Sequence, residues 1–332
     1  MAITISGGVQ LSGPVLLDPT GGSPSPTPSG GFQGSNYGYT SGGSNPTTSP
    51  NHGNVIDKYS FTSDGSAADV GDLTSNLRFL SGNSSSTDGY TVGGQGTSNI
   101  QKFSFSSDGN ASNVGTQSFE RYGTAGQSSS TDGYTTGGFN PGALNIIDKF
   151  PFASNGTATD VGDLVVSRAY VTGVSSSTFG YSAGGNGWPG SNPLSRDTID
   201  KFPFASDSNA TDVGDLTLAS AQNKAGQNNS THGFVSGGWD GNLASGPTAG
   251  VTTIEQFSFS TDGNTTDVSD LATGAREATG TSSTTSGYNV GGVTQANAIT
   301  NSIQKYSFST LATASGIGSL TQGRSGSSGQ QY

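Results

Sequence analysis

"STDGYTTGG", residues 130–138, holds one aromatic among Ser, Thr, Asp and Gly, and it returns through the chain with small changes. It reads "STDGYTVGG" at 86–94, "STFGYSAGG" at 177–185, "STHGFVSGG" at 230–238 and "TTSGYNVGG" at 284–292. With the related "YGYTSGG" near the start, its aromatic falls at Tyr39, Tyr90, Tyr134, Tyr181, Phe234 and Tyr288. A chain that keeps Gly-aromatic-x-x-Gly-Gly while varying the residues between copies is repeating a structural unit, and the repeat has to be read before any single element.

Two further phrases follow each copy in a fixed order. The second is "IDKYSF" from Ile56, "IQKFSF" from Ile100, "IDKFPF" from Ile147 and Ile199, "IEQFSF" from Ile254 and "IQKYSF" from Ile303. The third is "ADVGDL" at 68–73, with counterparts at 112–117, 159–164, 211–216, 266–271 and 315–320. Each phrase is short, apolar in alternation and bounded by turn residues, the pattern of a β-strand. Asp-Gly or Asn-Gly at 64–65, 108–109, 155–156 and 262–263 supplies tight turns, so the second and third phrases are expected to pair antiparallel. A stretch such as "AGQSSST", ahead of each aromatic phrase, adds a fourth strand.

Four short strands in a unit of about 50 residues, repeated, are the signature of propeller blades. A lone sheet of this composition has too few large side chains for a core. Stacked blades cover both faces, so residues of both alternation phases can be buried. In "IDKFPF", Phe150 and Phe152 are expected to face one neighbouring blade and Ile147 the other. Pro151 and Pro203 cannot donate to a ladder, which calls for a bulge or one-sided pairing there. The expected fold is all-β: a six-bladed propeller with four short antiparallel strands per blade over residues 30–332. A β-prone N-terminal arm (1–17) and a Pro/Ser/Gly linker (18–29) precede it. Both "GFQGSNYGY" (31–39) and the tail "RSGSSGQQY" (324–332) begin like an innermost strand, which leaves open which terminus closes the ring, although the first segment makes blade 1 read as complete from the N-terminal side.

The order Arg, small-residue strand, Gly-aromatic-x-x-Gly-Gly, Ile-x-x-aromatic-x-aromatic resembles the kelch repeat over roughly residues 30–324. It departs from the kelch pattern in lacking the Trp near the turn between the third and fourth strands. The resemblance implies a ligand face formed by the loops that lead into the innermost strands.

Composition narrows the function. The chain has 332 residues, 54 Gly, no Cys and a formal charge of −11. Without Cys there is no disulfide framework, thiolate metal site or Cys nucleophile. An acidic chain with scattered cations offers no footprint for nucleic acid. No run reaches the roughly 20 apolar residues of a membrane helix, and the opening residues do not read as a secretory signal. Metals and cofactors are not expected. The repeated Asp pairs, such as Asp69/Asp72 and Asp160/Asp163, read as solvated rim carboxylates and not as a calcium site.

Lys58, Lys102, Lys149, Lys201 and Lys305 share one repeat position, read as blade-edge solubility and pairing with the carboxylates of the third phrase. Arg78, Arg121, Arg168, Arg276 and Arg324 all follow the third phrase. They read as donors to carbonyls near the hub, with contact to a ligand as the alternative. Catalysis is not expected. His52 and His232 occupy different repeat positions, no Ser lies in a nucleophile elbow, and of Glu120, Glu255 and Glu277 none stands out. Kelch-like folds include copper oxidases and sialate-processing enzymes, and the Cys-Tyr pair of the former is impossible here.

Specificity is expected where copies differ, in the gap after the double glycine. It is long at 186–198 and 239–253, where Trp188 and Trp239 lie with Arg196, Asp197 and Asp240, and Phe139 sits in the preceding unit's gap. These residues suit a carbohydrate surface, or else the rings pin their own loops. Ile3, Ile5, Val9 and Leu11 give the arm the alternation of a strand that docks on another protein's sheet. A Gly/Ser/Thr-rich propeller with such an arm is similar to virion proteins of tailed phages, marine ones in particular. That likeness implies a non-enzymatic virion protein on capsid or tail, in several copies. The arm would bind other virion proteins, and the propeller a host-surface glycan or a neighbouring virion protein. The alternative is a cellular kelch-like scaffold that binds a protein.

Overall fold

The computed structural model describes residues 34–45, 53–187, 196–220, 225–239 and 250–332. These form six four-stranded antiparallel sheets arranged as the blades of a six-bladed β-propeller. The "AGQS" type of segment is innermost, the Gly-aromatic phrase second, the Ile phrase third and the Asp-Val-Gly phrase outermost. Blade 3 runs Ala125–Ser128, Asp132–Thr136, Ile146–Pro151 and Thr159–Asp163 in that order from the axis.

The six copies explain their own spelling. In blade 3, a Cβ on Gly133 would meet the cross-strand ring of Phe150 at 2.3 Å, so the aromatic of the second phrase lies directly over this glycine. Gly38, Gly89, Gly180, Gly233 and Gly287 sit under Tyr59, Phe103, Phe202, Phe257 and Tyr306 in the same way. Tyr134, next to Gly133, leaves its blade and packs on two aromatics of blade 4, with ring centroids 5.4 Å from Phe202 and 4.9 Å from Phe204. Tyr39, Tyr90, Tyr181, Phe234 and Tyr288 make the same pair of contacts with their next blades. Such pairs contribute roughly 0.5–1.5 kcal/mol each beyond area burial, which is how a chain with 29% hydrophobic residues holds six interfaces together. The double glycine ends the second strand at positive φ, 64° and 111° at Gly137 and Gly138.

Phe150 and Phe152 pack toward blade 2, against Tyr90 and Ile100, and Ile147 packs toward blade 4, as the alternation implied. Pro151 pairs only with Asp132 of the second strand and ends its own strand, so no ladder donor is missed. The bulge falls earlier, between Ile147 and Asp148, and recurs at that place in all six blades.

The ring is closed by the C-terminus. Ser328–Gln331 is the innermost strand of blade 1 and pairs with Tyr37–Ser41, which comes from the N-terminal side. This corrects the reading of 31–39 as a blade begun at its innermost strand. Residues 37–41 are already the second strand, and Gly34 bridges instead to Ser283 of blade 6. The first and last described strands thus share one sheet, which closes the ring of six interfaces.

Four of the repeat lysines pair elsewhere than with the third-phrase carboxylates. Lys58, Lys149, Lys201 and Lys305 bind Asp108, Asp207, Asp262 and Asp64, which stand in the turn between third and outer strands of the next blade. Asp69, Asp160 and Asp212 instead accept the amide two residues on, at Gly71, Gly162 and Gly214. The carboxylates thus shape the outer strand locally and leave the lysines to the neighbouring turn.

Candidate functional site

Around the axis, three belts of contacts tie the innermost strands together. At the waist, Gly82, Gly126, Gly173, Gly226, Gly280 and Gly329 touch in a closed ring. A Cβ on Gly126 would lie 2.1 Å from the carbonyl oxygen of Gly82, and each of the six meets its neighbour's at 2.1–2.4 Å. Below the waist, backbone amides donate to the next blade's side chain: Ser84 to Ser128, Ser128 to Ser175, Asn228 to Ser282, Ser282 to Gln331 and Gln331 to Ser84. Above it, the backbone itself links the five described blades in series. Gly326 N donates to Glu277 O, Phe79 N to Gly326 O, Gly123 N to Phe79 O and Tyr170 N to Gly123 O, over 2.6–2.9 Å.

The upper belt demands a left-handed backbone, and its residues meet that demand unequally. Gly123 and Gly326 have φ of 65° and 61°, an easy conformation for glycine. Phe79, Tyr170 and Glu277 hold the equivalent place at 57°, 56° and 56°. A side chain there costs about 1–2 kcal/mol that the scaffold does not require, since glycine serves blades 1 and 3. Position 223 of blade 5 lies outside the described residues.

These three side chains gather at the mouth. The Phe79 ring covers Gly326 and the Tyr170 ring covers Gly123. Phe79 and Tyr170 meet edge to face at 5.4 Å, and Tyr122 stacks on Phe79 at 6.0 Å. Phe139 extends the cluster, 5.5 Å from Tyr122, through a backbone bridge between the two residues. The Arg78 guanidinium lies 4.9 Å from the Phe79 centroid and donates to Gln95. Burial, the Tyr122 hydroxyl and the Glu277 carboxylate push the Tyr170 hydroxyl up to about 12, with Arg78 opposing them. Tyr170 therefore stays a neutral hydroxyl over the ordinary pH range. Beneath the mouth a recess of about 100 Å³ descends to the glycine waist, lined by Phe79, Glu277 and the hydroxyls of Ser81, Thr124, Thr172, Thr279 and Ser327. A second recess of about 70 Å³ lies on the other side of the same glycines.

The arginines divide into two sets by one residue of register. Arg121, Arg168 and Arg324 stand five residues before their waist glycine and are completely or almost completely buried. Arg121 pairs with Asp148 and Arg168 with Asp200, both at 2.9 Å, and Arg324 pairs with Asp57. Arg78 and Arg276 stand four before theirs, and Leu77 and Ala275 fill the buried place. Only this second set reaches the mouth, where Arg276 donates to Asn297 and approaches Glu277 at 4.0 Å. The carbonyl-donor reading fits the buried set, with Arg121 donating to Gly137 O and Thr135 O and Arg168 to Thr198 O and Ser182 O. Their acidic partners were hidden in the sequence, because Asp57, Asp148 and Asp200 sit inside a strand phrase.

Those acids serve a sixfold anchor. The second residue of each Ile phrase accepts the amide of the chain leaving the preceding blade: Asp57 from Thr321, Gln101 from Thr74, Asp148 from Ser118, Asp200 from Val165, Glu255 from Thr217 and Gln304 from Thr273. Burial raises the Asp200 carboxyl above its ordinary range, with Arg168 opposing. Desolvation of this pair is thus not fully repaid.

Of the loop residues named from sequence, Trp239 is half-buried and bridges Gly250, on the same repeat position as Phe139. Arg196 opens the third strand of blade 4 and pairs with Ser220. Trp188, Asp240 and the arm residues Ile3, Ile5, Val9 and Leu11 lie outside the described residues, as does His52. Asp197 follows Arg196 in that strand. His232 begins the second strand of blade 5, its Nδ1 2.8 Å from Thr231 Oγ1, and burial lowers its pKa. Glu255 is spent in the anchor, whereas Glu277 belongs to the mouth. Sequence reasoning missed Phe79, Tyr122 and Tyr170 and passed over Glu277. The available signal was the alternation of Gly with large residues three places before the waist glycine. Among the described residues no group of three or more His, Cys, Asp or Glu side chains is placed to hold a metal ion.

Fold and site together define a six-bladed β-propeller with an aromatic mouth at its axis. No protein-family model matches the chain, and no curated protein matches it.

Proposed function

We propose that this chain is a non-enzymatic recognition propeller, displayed on a virion, that binds its target through the axial mouth. One observation carries the recognition reading: among the described residues, the mouth departs from sixfold repetition while the waist beneath it keeps it. Buried charges repeat as anchors and half-buried lysines repeat as interblade pairs. Among the described blades Tyr122 and Glu277 have no counterpart, an aromatic stands at the place of Phe79 and Tyr170 in those two blades alone, and Phe79, Tyr170 and Glu277 occupy strained backbone. A repeat protein that keeps bulky side chains at a place where glycine would serve is using them for something other than its fold.

The virion setting rests on the Gly/Ser-rich kelch-like style of the repeats and on the N-terminal segment. The twenty-four strands of the six described sheets come from residues 37–331, and residues 1–33 lie outside the described residues. That leaves the alternating segment 1–17 for docking onto a capsid or tail, where many copies let weak sites act through avidity. The target would be a host-surface glycan or a neighbouring virion protein. The test is affinity capture from the source lysate with the full chain and with residues 1–29 deleted. Capsid or tail proteins captured only by the full chain support particle docking. A single non-virion protein captured equally by both forms overturns it in favour of a cellular scaffold.

A further inference from the structure

We infer that the axial mouth and its recess form a monosaccharide-sized site for the terminal residue of a neutral glycan. This inference rests on the recognition reading above and narrows it to one ligand chemistry and one place.

Three observations point the same way. First, Phe79 and Tyr170 are half-buried at the mouth. An aromatic face matches the C–H face of a pyranose, and the Tyr170 hydroxyl adds a polar tip beside it. Second, the recess below is lined by hydroxyls and backbone, with little apolar side-chain surface. Ser327 Oγ, more than nine-tenths buried on the recess wall, has no hydrogen-bond partner. A buried hydroxyl with spare donor and acceptor capacity, in a recess that Glu277 also lines, suits a ligand that presents hydroxyls in several directions. Third, the charge at the mouth is mixed. Arg78 and Arg276 approach it together with Glu277, and the arginines that would make it an anion trap are buried against Asp57, Asp148 and Asp200. An acidic sugar or acidic peptide would meet Glu277 without a convergent set of cations. A polyhydroxyl ring without charge meets no such conflict.

The design of the repeat supplies clean variants. Phe79→Gly and Tyr170→Gly install the residue that blades 1 and 3 already carry at this place, so the belt and its positive φ are retained. Ser327→Ala removes one unpartnered hydroxyl. The experiment is saturation-transfer NMR on the full chain with methyl glycosides of glucose, galactose, mannose and N-acetylglucosamine, and with glucuronate, sialic acid and a hepta-glutamate peptide as anionic probes. Circular dichroism melts of every variant accompany it. The expected result is saturation transfer to at least one neutral glycoside, weakened tenfold or more by Phe79→Gly and by Ser327→Ala with the melts unchanged.

Binding of a neutral glycoside that Phe79→Gly leaves intact would overturn the site assignment and leave glycan recognition standing. Preference for the anionic probes would overturn the ligand chemistry. No transfer to any probe would overturn the inference, while capture of virion proteins would be judged separately by the deletion experiment.

Discussion

The waist lies on the innermost strands and the mouth on the segments just before them, yet the two follow opposite rules. At the waist every blade carries glycine, because a neighbour's carbonyl oxygen stands where a Cβ would go. Three residues earlier the backbone again favours glycine, and only two of the five described blades have it. The first place is uniform because the fold permits nothing else. The second is varied although uniformity would be less strained. In a repeat protein the contrast separates what the ring needs from what this chain adds to it.

The most forceful way to break that contrast is to open the ring. Removing residues 328–332 deletes the innermost strand of blade 1 and one member of the waist. The truncated chain is expected to lose its cooperative thermal transition and to be cut throughout by protease, because a propeller's stability depends on neighbouring interfaces being made together. A truncated chain that still melts sharply would show that the waist is not what closes the fold.

Next in size are the buried anchors. Asp148→Ala strands the Arg121 guanidinium in the core, and an uncompensated buried charge costs about 3–5 kcal/mol. The double substitution Arg121→Leu with Asp148→Gln reproduces the Leu77 and Gln101 of blade 2 and is expected to recover most of that loss. Urea unfolding of the single and double variants measures both. Failure of the double variant to recover would mean that the ion pair carries more than the amide anchor in blade 2.

A smaller effect appears in alkali. Burial raises the hydroxyls of Tyr39, Tyr134 and Tyr181 and pushes Tyr90 up to about 12. A tyrosine whose folded pKa exceeds its unfolded value of about 10 keeps its contribution below pH 10 and loses it as pH rises toward the folded value. Melting temperature is therefore expected to fall between pH 10 and 12. Tyr134→Phe, which copies Phe234 of blade 5, should make that decline shallower.

The smallest effect belongs to the interblade lysines. Lys305→Gln copies Gln256 of blade 5, and the loss of a half-exposed pair with Asp64 is expected to cost less than about 1 kcal/mol. The cost should shrink further in high salt.

Much of the architecture could be read from repetition. The order of three phrases, the Asp-Gly turns and the small-residue strand set blade count and strand order, and the opposite facings of Ile147 and Phe150 followed from alternation. Closure was not legible, because residues 31–39 and the tail look alike and only pairing partners distinguish them. The arginines misled for a similar reason. A shift of one residue separates buried Arg121 from Arg78 at the mouth, and proximity to the third phrase hides it. In sequence, the long loops make Trp188 and Trp239 the conspicuous candidates. Phe79 and Tyr170 went unnoticed and Glu277 did not stand out, because nothing in composition marks a residue whose φ is positive.

The most direct test compares one substitution at each place under identical conditions. Gly126→Ala puts a methyl group against the Gly82 carbonyl, and Phe79→Gly removes a ring from the mouth. Urea unfolding is expected to show a loss of several kcal/mol for Gly126→Ala, in the range of severe overpacking. Phe79→Gly is expected to stay within about 1 kcal/mol of the parent, as relief of left-handed strain offsets the lost ring contacts. Equal losses, or a larger loss for Phe79→Gly, would mean that the mouth is scaffold after all and would contradict the division on which the functional reading stands.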